Sequence, residues 1–494
     1  MSEPDSGRLP RVYWGTAIAA GAFAVARFVP LPDVVAASGE ILSLTATGRS
    51  ALGIVMFTAI LWALEVFPFP VTALLGAVML PLFGVMGWTD VIKSGAGSDI
   101  VPFLLGIMIL STGVVESGLA LRVSKRIVRM AGSDPKRVVL AFLLFSGFCA
   151  AWLGNLAVAA ILQPIAVAII VSNGLVPGHS NFGTALSIGC AWGALIGSIA
   201  TPAGGASNLI AIGFLRNLAG VDLGFTQWMA VGFPAAMLMM APAWAILIMA
   251  FPPEIEELRV DSADADDGEC GSEGKSRGAI VANGSPLTAH EIWALVGLGV
   301  MLTLWFLSDW LKKAFGMDMP MSLGAIIGAV VYLLPVNGTS SWDVLEHKIN
   351  WGNLVLVAVG MSLGAGVYDS GAAAWLANAV FGRMAALQPF PRALLLSTAI
   401  MLFKLMFSSN TATASIVMPV VLAAINGAAV DPWTFLAPAA LASPLAFILV
   451  TSAPANLVFH DSECFSVRDM AVVGIPMTIV AAICIAFVCT LVLG

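Results

Sequence analysis

Ser408-Ser409-Asn410-Thr411 is a polar break inside apolar sequence, with residues 393–407 before it and 412–425 after it. Each arm is about 15 residues, roughly 22 Å of helix at ~1.5 Å per residue. A bilayer core is ~30 Å thick and takes ~20 apolar residues to cross. Two readings fit this stretch equally. One is a single kinked span whose polar residues touch a neighbouring helix. The other is a pair of half-length helices folding back at mid-membrane. In the second reading, helix ends at the turn leave free backbone N–H groups and a positive dipole end, a ready anion site.

A second copy favours the folded-back pair. Trp152-Leu153-Gly154-Asn155-Leu156-Ala157 again lies between apolar arms, 138–151 and 157–171, and in both copies a proline follows nine residues after the Asn (Pro164, Pro419). Interrupted segments in corresponding positions of two halves point to a transporter binding site. The hairpins are therefore expected at 138–173 and 393–427.

The rest of the chain agrees with a membrane location. Of 494 residues, 59% are hydrophobic and only 10% charged, a composition that a soluble core does not absorb. Long apolar runs, rather than alternating ten-residue segments, point to helices and not a β-barrel. The net charge of −7 is mostly local: between Glu254 and Arg277 nine acids face three bases. No basic excess remains to suggest a nucleic-acid partner. The six cysteines and four histidines form no CxxC or Cys/His cluster, which argues against a metal centre.

Spans are expected at 12–30, 52–67, 71–85 and 100–115, followed by a basic amphipathic surface helix over 119–137. That helix carries Arg122, Lys125, Arg126, Arg129, Lys136 and Arg137. After the first hairpin comes an apolar run, 184–214, broken by Thr201-Pro202-Ala203-Gly204-Gly205-Ala206-Ser207-Asn208. A Pro/Gly/polar interruption at membrane depth belongs where it lines a cavity or is buried in protein. A span over 229–251 closes this half, and the acidic Gly/Ser-rich stretch 252–290 reads as a flexible linker.

The second half repeats the order. Asp369-Ser370-Gly371 matches Glu116-Ser117-Gly118, Asp343-Val344 matches Asp90-Val91, and Gly328-Ala329-Val330 matches Gly76-Ala77-Val78. Its broken span, 434–460, is interrupted at Thr451-Ser452-Ala453-Pro454-Ala455-Asn456. The expected fold is an all-α polytopic membrane protein with about 11 transmembrane spans plus two re-entrant hairpins. Residues 1–48 form an N-terminal span and loop, 49–251 one repeat, 252–290 the linker and 291–494 the other repeat. Six basic residues on 119–137 against two, Arg383 and Arg392, on 372–392 place the first segment in the cytoplasm and the second outside. Counting crossings from a cytoplasmic N-terminus gives the same result, with inverted repeats and the C-terminus outside.

The paired hairpins, each followed by a broken span, resemble the divalent anion/sodium symporter family, as does Trp62-Ala63-Leu64-Glu65-Val66-Phe67-Pro68-Phe69-Pro70. That family has a Ser-Asn-Thr triplet at each tip, which Ser409-Asn410-Thr411 matches in full. The resemblance implies substrate contacts from Asn155, Ser409, Asn410, Thr411, Ser207, Asn208, Ser452, Pro454 and Asn456. It implies sodium ligands among Asn155, Thr201, Gly204, Ser409, Asn410, Ala453 and Asn456. It further implies transport of dicarboxylates, tricarboxylates or sulfate across the cytoplasmic membrane, sodium coupling, a homodimer, and a substrate-carrying domain sliding against a scaffold. A sodium-independent dicarboxylate exchanger and a sulfate-type permease are the alternatives. No enzymatic cofactor is implied.

The residue types suit these roles, since Asn offers two donors and an acceptor, and Ser and Thr one donor with two lone pairs. The first tip departs from the triplet: Gly154 and Leu156 stand where hydroxyls are expected, which predicts fewer coupled sodium ions than two intact sites would give, or none. Glu116, Asp369 and Glu65 read as interfacial caps, and Arg27 as a snorkelling side chain. Lys404, inside the second hairpin, is a functional candidate by its place in the membrane, weighed against a cavity-facing or acid-paired structural lysine. An enzyme or sensor finds no support in a nucleophile–base pair or an output domain. An ATP-driven pump lacks its Gly-x-x-x-x-Gly-Lys-Ser/Thr loop.

Overall fold

A computed structural model describes residues 8–35, 41–258, 286–334, 342–381, 384, 386–425 and 430–494. Arg383, most of the acidic linker and the last two residues of the expected second hairpin, 426 and 427, lie outside these residues. After α1 (Arg8–Phe28) the helices fall into two series in the same order. The first is α2 (Ala46–Ala63), α3 (Phe69–Leu82), α4 (Trp88–Ser94), α5 (Ile100–Glu116), α6 (Leu119–Ala131), α7 (Pro135–Leu153), α8 (Asn155–Ser172), α9 (Asn181–Ser198), α10 (Ala206–Ala219) and α11 (Phe225–Ala250). The second is α12 (Ala289–Phe315), α13 (Met321–Leu333), α14 (Trp342–Glu346), α15 (Trp351–Asp369), α16 (Ala372–Phe381), α17 (Pro389–Lys404), α18 (Asn410–Ala423), α19 (Pro432–Ala442), α20 (Pro454–His460) and α21 (Val467–Leu493). A two-residue antiparallel pair, Val34–Val35 with Ile41–Leu42, is the β structure among the described residues.

Local chemistry sets the helix ends. The Thr45 hydroxyl accepts from Gly48 N–H at 3.0 Å, capping α2. Thr288 and Glu291 form a capping box on α12, as Ser466 and Asp469 do on α21. The amphipathic surface helix is shorter than the sequence suggests. It stops at Ala131, because Gly132 turns out of helical conformation and Asp134-Pro135 starts α7 with its own cap. Lys136 and Arg137 therefore begin α7. Likewise α16 ends at Phe381, and Arg392 sits on α17 with its guanidinium 5.7 Å from the Phe435 ring centroid.

Seven described helices are long and apolar enough to cross a membrane, by length and composition alone. They include α7 and α8, 19 and 18 residues long. Neither arm of the first pair is thus too short to span, unlike α17 and α18 at 16 and 14 residues. The sequence pattern missed this because α7 starts at Pro135 and recruits Lys136 and Arg137 into its first turn.

Packing around the first pair rests on small residues. A Cβ added at Gly197 on α9 would lie 2.0 Å from the Gly147 carbonyl oxygen on α7, and one at Gly193 would lie 2.4 Å from that of Leu143. Small residues spaced by four let helix backbones touch where lipid supplies no hydrophobic drive between them. The Ser146 hydroxyl adds a hydrogen bond across this seam, to the Cys190 carbonyl at 2.6 Å. The two series then interlock. α20 of the second packs on α8 and α9 of the first, while α10 of the first packs on α18 and α15 of the second. A separate apolar cluster joins Ile54, Trp62, Ala77 and Leu363 to Phe407 and Ala412, which flank the second tip.

Candidate functional site

Each helix pair turns at its polar break. Gly154 joins α7 to α8 with φ +81°, a conformation that glycine adopts freely and that strains other residues. It provides no side-chain cap, so the first N–H groups of α8 stay free of side-chain partners. Asn155 follows, half-buried, with no hydrogen bond from its amide among the described residues. The second tip is built differently. Ser409 caps α18, its hydroxyl oxygen accepting from Ala412 N–H at 3.2 Å. The Thr411 hydroxyl donates to Asn353 Oδ1 at 3.1 Å, and Asn410 Oδ1 is buried without a partner. The expected donor set at this tip is thus partly engaged, with Thr411 turned to another helix.

The two breaks in α9–α10 and α19–α20 share one internal staple. Asn208 Nδ2 donates to the carbonyls of Ser198 (2.7 Å) and Thr201 (2.8 Å), ten and seven residues back. Asn456 Nδ2 donates to Ala446 (2.8 Å) and Leu449 (3.5 Å), at the same two offsets. Facing carbonyls fix which amide atom is nitrogen. Both asparagines keep a buried Oδ1 with no hydrogen-bond partner. They were expected to donate to an anion, but their donors hold the loop. What remains is an oxygen acceptor, the ligand type a hard cation takes. Such orphaned buried oxygens are costly and call for a partner.

Each break is tied to its own tip. The Thr201 hydroxyl donates to the Ala151 carbonyl and the Ser452 hydroxyl to that of Leu405 (3.5 Å), four and five residues before the tip asparagines. Gly204 lies beside Gly154, while Ser207 is buried with its hydroxyl unpartnered. Ala453 and Pro454 form the second break's turn into α20, and Pro454 at its start offers no N–H.

Lys404 is the last residue of α17 and fully buried, and its Nζ donates to the Phe407 carbonyl at 3.0 Å. No acid pairs with it among the described residues, so the acid-paired reading fails. A helix C-terminus favours the cation it carries. Glu116 forms an ion pair with Lys348 rather than capping a helix. Glu65, expected as an interfacial cap, has its carboxylate accept from the Ser408 hydroxyl at 2.6 Å. Asn353 escaped notice altogether. A lone polar residue at the start of an apolar helix was the signal. A cavity of about 510 Å3 lies away from the tips, lined by Lys93, Asp99, Arg216, Asn217, Met361 and Asp369 among others.

Comparison with known proteins adds context to this geometry. A family model described as citrate transporter matches residues 59–402 and 317–493. The sodium-dependent dicarboxylate transporter SdcS of Staphylococcus saprophyticus is 26% identical over 463 residues, covering 90% of this chain and 86% of that one. SdcS of Staphylococcus aureus strain USA300 is 26% identical over 460 residues, covering 89% and 85%. The crystal structure of the Alcanivorax borkumensis YdaH transporter covers 99% of this chain and 98% of its own, with a TM-score of 0.51 and 13% identity. That likeness concerns the fold alone.

Proposed function

The chain belongs to the citrate transporter family, and from that premise we propose that it is a sodium-coupled secondary transporter of dicarboxylates or related divalent anions. Its relatives are transporters and not enzymes, and the named ones are sodium-dependent dicarboxylate transporters. The observation that carries the reading is the doubled construction of tip and break, with free donors at the tips and orphaned oxygens at the breaks.

The division of labour follows from atom types. A carboxylate accepts hydrogen bonds only, so the anion is assigned to the donors: the free N–H groups starting α8, the Asn155 and Asn410 amides, and the Ser409 hydroxyl. The N-terminal dipoles of α8 and α18 add positive potential there. Sodium, co-transported cargo, is assigned to oxygens: Oδ1 of Asn208 and Asn456 at the breaks, Oδ1 of Asn410, and neighbouring carbonyls at Gly204 and Ala453. Neutral donors bind a dianion less tightly than an arginine fork, which suits a carrier that releases its cargo.

Movement is assigned to an elevator in which the tips and breaks travel together against α2, α3, α5 and α15. Supporting this, the Ser111 hydroxyl near the end of α5 donates to Leu153 of the first tip at 2.8 Å, whereas the second tip meets Asn353 near the start of α15. If the repeats are inverted, those two helix ends lie on one side of the membrane, the cytoplasmic side on the basic-residue count. Both tips then sit near one face, as an end state of such a movement requires. The homodimer and the C-terminus outside complete this reading.

Uptake of succinate, citrate and sulfate into proteoliposomes, each with and without a sodium gradient, tests it. Saturable, gradient-driven uptake of a dicarboxylate is expected. Dicarboxylate exchange indifferent to sodium selects the exchanger instead, and sulfate uptake without dicarboxylate uptake selects the sulfate permease.

A further inference from the structure

The second tip is held from outside by two bonds between side chains, whereas the first tip takes from its scaffold a bond to backbone, from the Ser111 hydroxyl to the Leu153 carbonyl. Ser408 donates to Glu65 and Thr411 donates to Asn353. Glu65 and Asn353 belong to one platform: Glu65 follows α2 in the turn to α3, the Trp62 indole N–H braces that turn on the Phe69 carbonyl at 3.1 Å, and α15 packs on both helices. Glu65 holds φ at +48°, a left-handed conformation that a side-chain-bearing residue adopts at a cost.

Transferring these four positions to the other series gives an apolar set. Glu65 stands four residues before α3, and the residue four before α13 is Met317. The adjoining Asp318 is paired with Lys312 at 3.0 Å. Asn353 is the third residue of α15, and α5 begins Ile100-Val101-Pro102. Ser408 and Thr411 correspond to Leu153 and Leu156, two before and one after the tip asparagine. Leu156 and Met317 are 42% and 47% exposed here. Both the platform and the tip change together, from polar with polar to apolar with apolar.

We propose that Glu65 is a positioning residue in a hydrogen-bonding seat that holds the second tip at this end of the cycle, and that the opposite end is held by an apolar seat pairing Leu153 and Leu156 with Met317 and residues 100–102. This rests on the elevator reading above. It also gives the departing first tip a positive role: Leu156 replaces a hydroxyl because its landing site is apolar. A hydroxyl there would have to leave water without a partner. The two seats respond differently to removal of one partner, so Glu65 sets the bias between the end states.

The test is a double-mutant cycle in proteoliposomes, with half-saturation for dicarboxylate measured separately from each side. Loss of one hydrogen bond shifts the balance of end states by roughly five-fold and moves the two half-saturation values in opposite directions. Glu65→Ala and Ser408→Ala are each expected to do this. The double variant should be no worse than either single one, and Glu65→Gln, which keeps an acceptor oxygen, should stay near wild type. Additive effects, or a lower maximal rate with both half-saturation values unchanged, would overturn the seat. If the alanine variants do not fold, a Glu65→Cys/Ser408→Cys pair on a cysteine-free background decides. Cross-linking should arrest transport and reduction should restore it, and normal transport by the cross-linked protein overturns the proposal. Wild-type liposomes that take up no anion refute the transport reading itself, a distinct outcome.

Discussion

At the scale of single residues, conformation and burial single out Gly154 and Lys404. Gly154 turns the first tip with φ +81°, while a Cβ there would meet only ordinary contact, 3.7 Å from the Gly204 carbonyl oxygen. Gly154→Ala is therefore a conformational change and not a clash, expected to cost about 1–3 kcal/mol because positive φ with extended ψ is essentially glycine-only. A melting midpoint lowered by a few degrees, with transport reduced, is the expected result. An unchanged midpoint would show that the tip relaxes freely. Lys404 is a buried amine-bearing side chain with one hydrogen bond, to the Phe407 carbonyl, six residues before Asn410. If protonated, it is stable only with compensation, which an anion at the second tip would supply. Lys404→Gln is expected to raise half-saturation for the anion roughly ten-fold, in line with the loss of one charge-assisted interaction. Unaltered affinity would assign Lys404 to structure alone.

At the scale of elements, the sequence carried the breaks better than the helices around them. Polar and glycine residues inside apolar runs mark a break wherever the backbone needs partners. The tips at Gly154 and Ser409 and the interruptions at 201–208 and 451–456 were thus legible from composition alone. Helix limits were not. The Arg, Lys and apolar spacing of the surface helix continues to Arg137, past Gly132, where the backbone turns away. Atom-level roles were hidden as well: asparagine types named the site, but only the fold reveals that Asn208 and Asn456 use their donors on carbonyls ten and seven residues back. The pairings of Glu65 and Asn353 are not legible in the sequence, because their partners are 343 and 58 residues away. The packing of α7 on α9 yields a further expectation. Gly197→Ala places a methyl group 2.0 Å from the Gly147 carbonyl oxygen, so the helices must separate, at a cost of ~1–3 kcal/mol. Poor yield of folded, membrane-inserted protein is predicted, and normal yield would contradict the close approach.

At the scale of the whole molecule, the two helix series share their order, and the orientation proposed for them rests on the basic-residue count. Ser133 and Gln388 are both exposed, one before α7 and the other before α17. Single cysteines there, on a cysteine-free background, should react only from the cytoplasm and only from outside, respectively. Labelling of both from one side would refute the inverted arrangement. For coupling, the tips differ: Asn155 stands without the hydroxyl neighbours that Asn410 has, so the proposed sodium binding on the first side has fewer oxygen ligands to draw on. Flux is therefore expected to depend on sodium with a Hill coefficient near one, and steep sodium activation would contradict this.

The central claim is that the paired tips hold the anion through Asn155 and Asn410, and replacing these amides tests it most directly. Asn155→Ala and Asn410→Ala, each purified as folded, membrane-inserted protein, should lose saturable dicarboxylate uptake in proteoliposomes while wild type retains it. Near-normal uptake by Asn410→Ala would contradict the assignment.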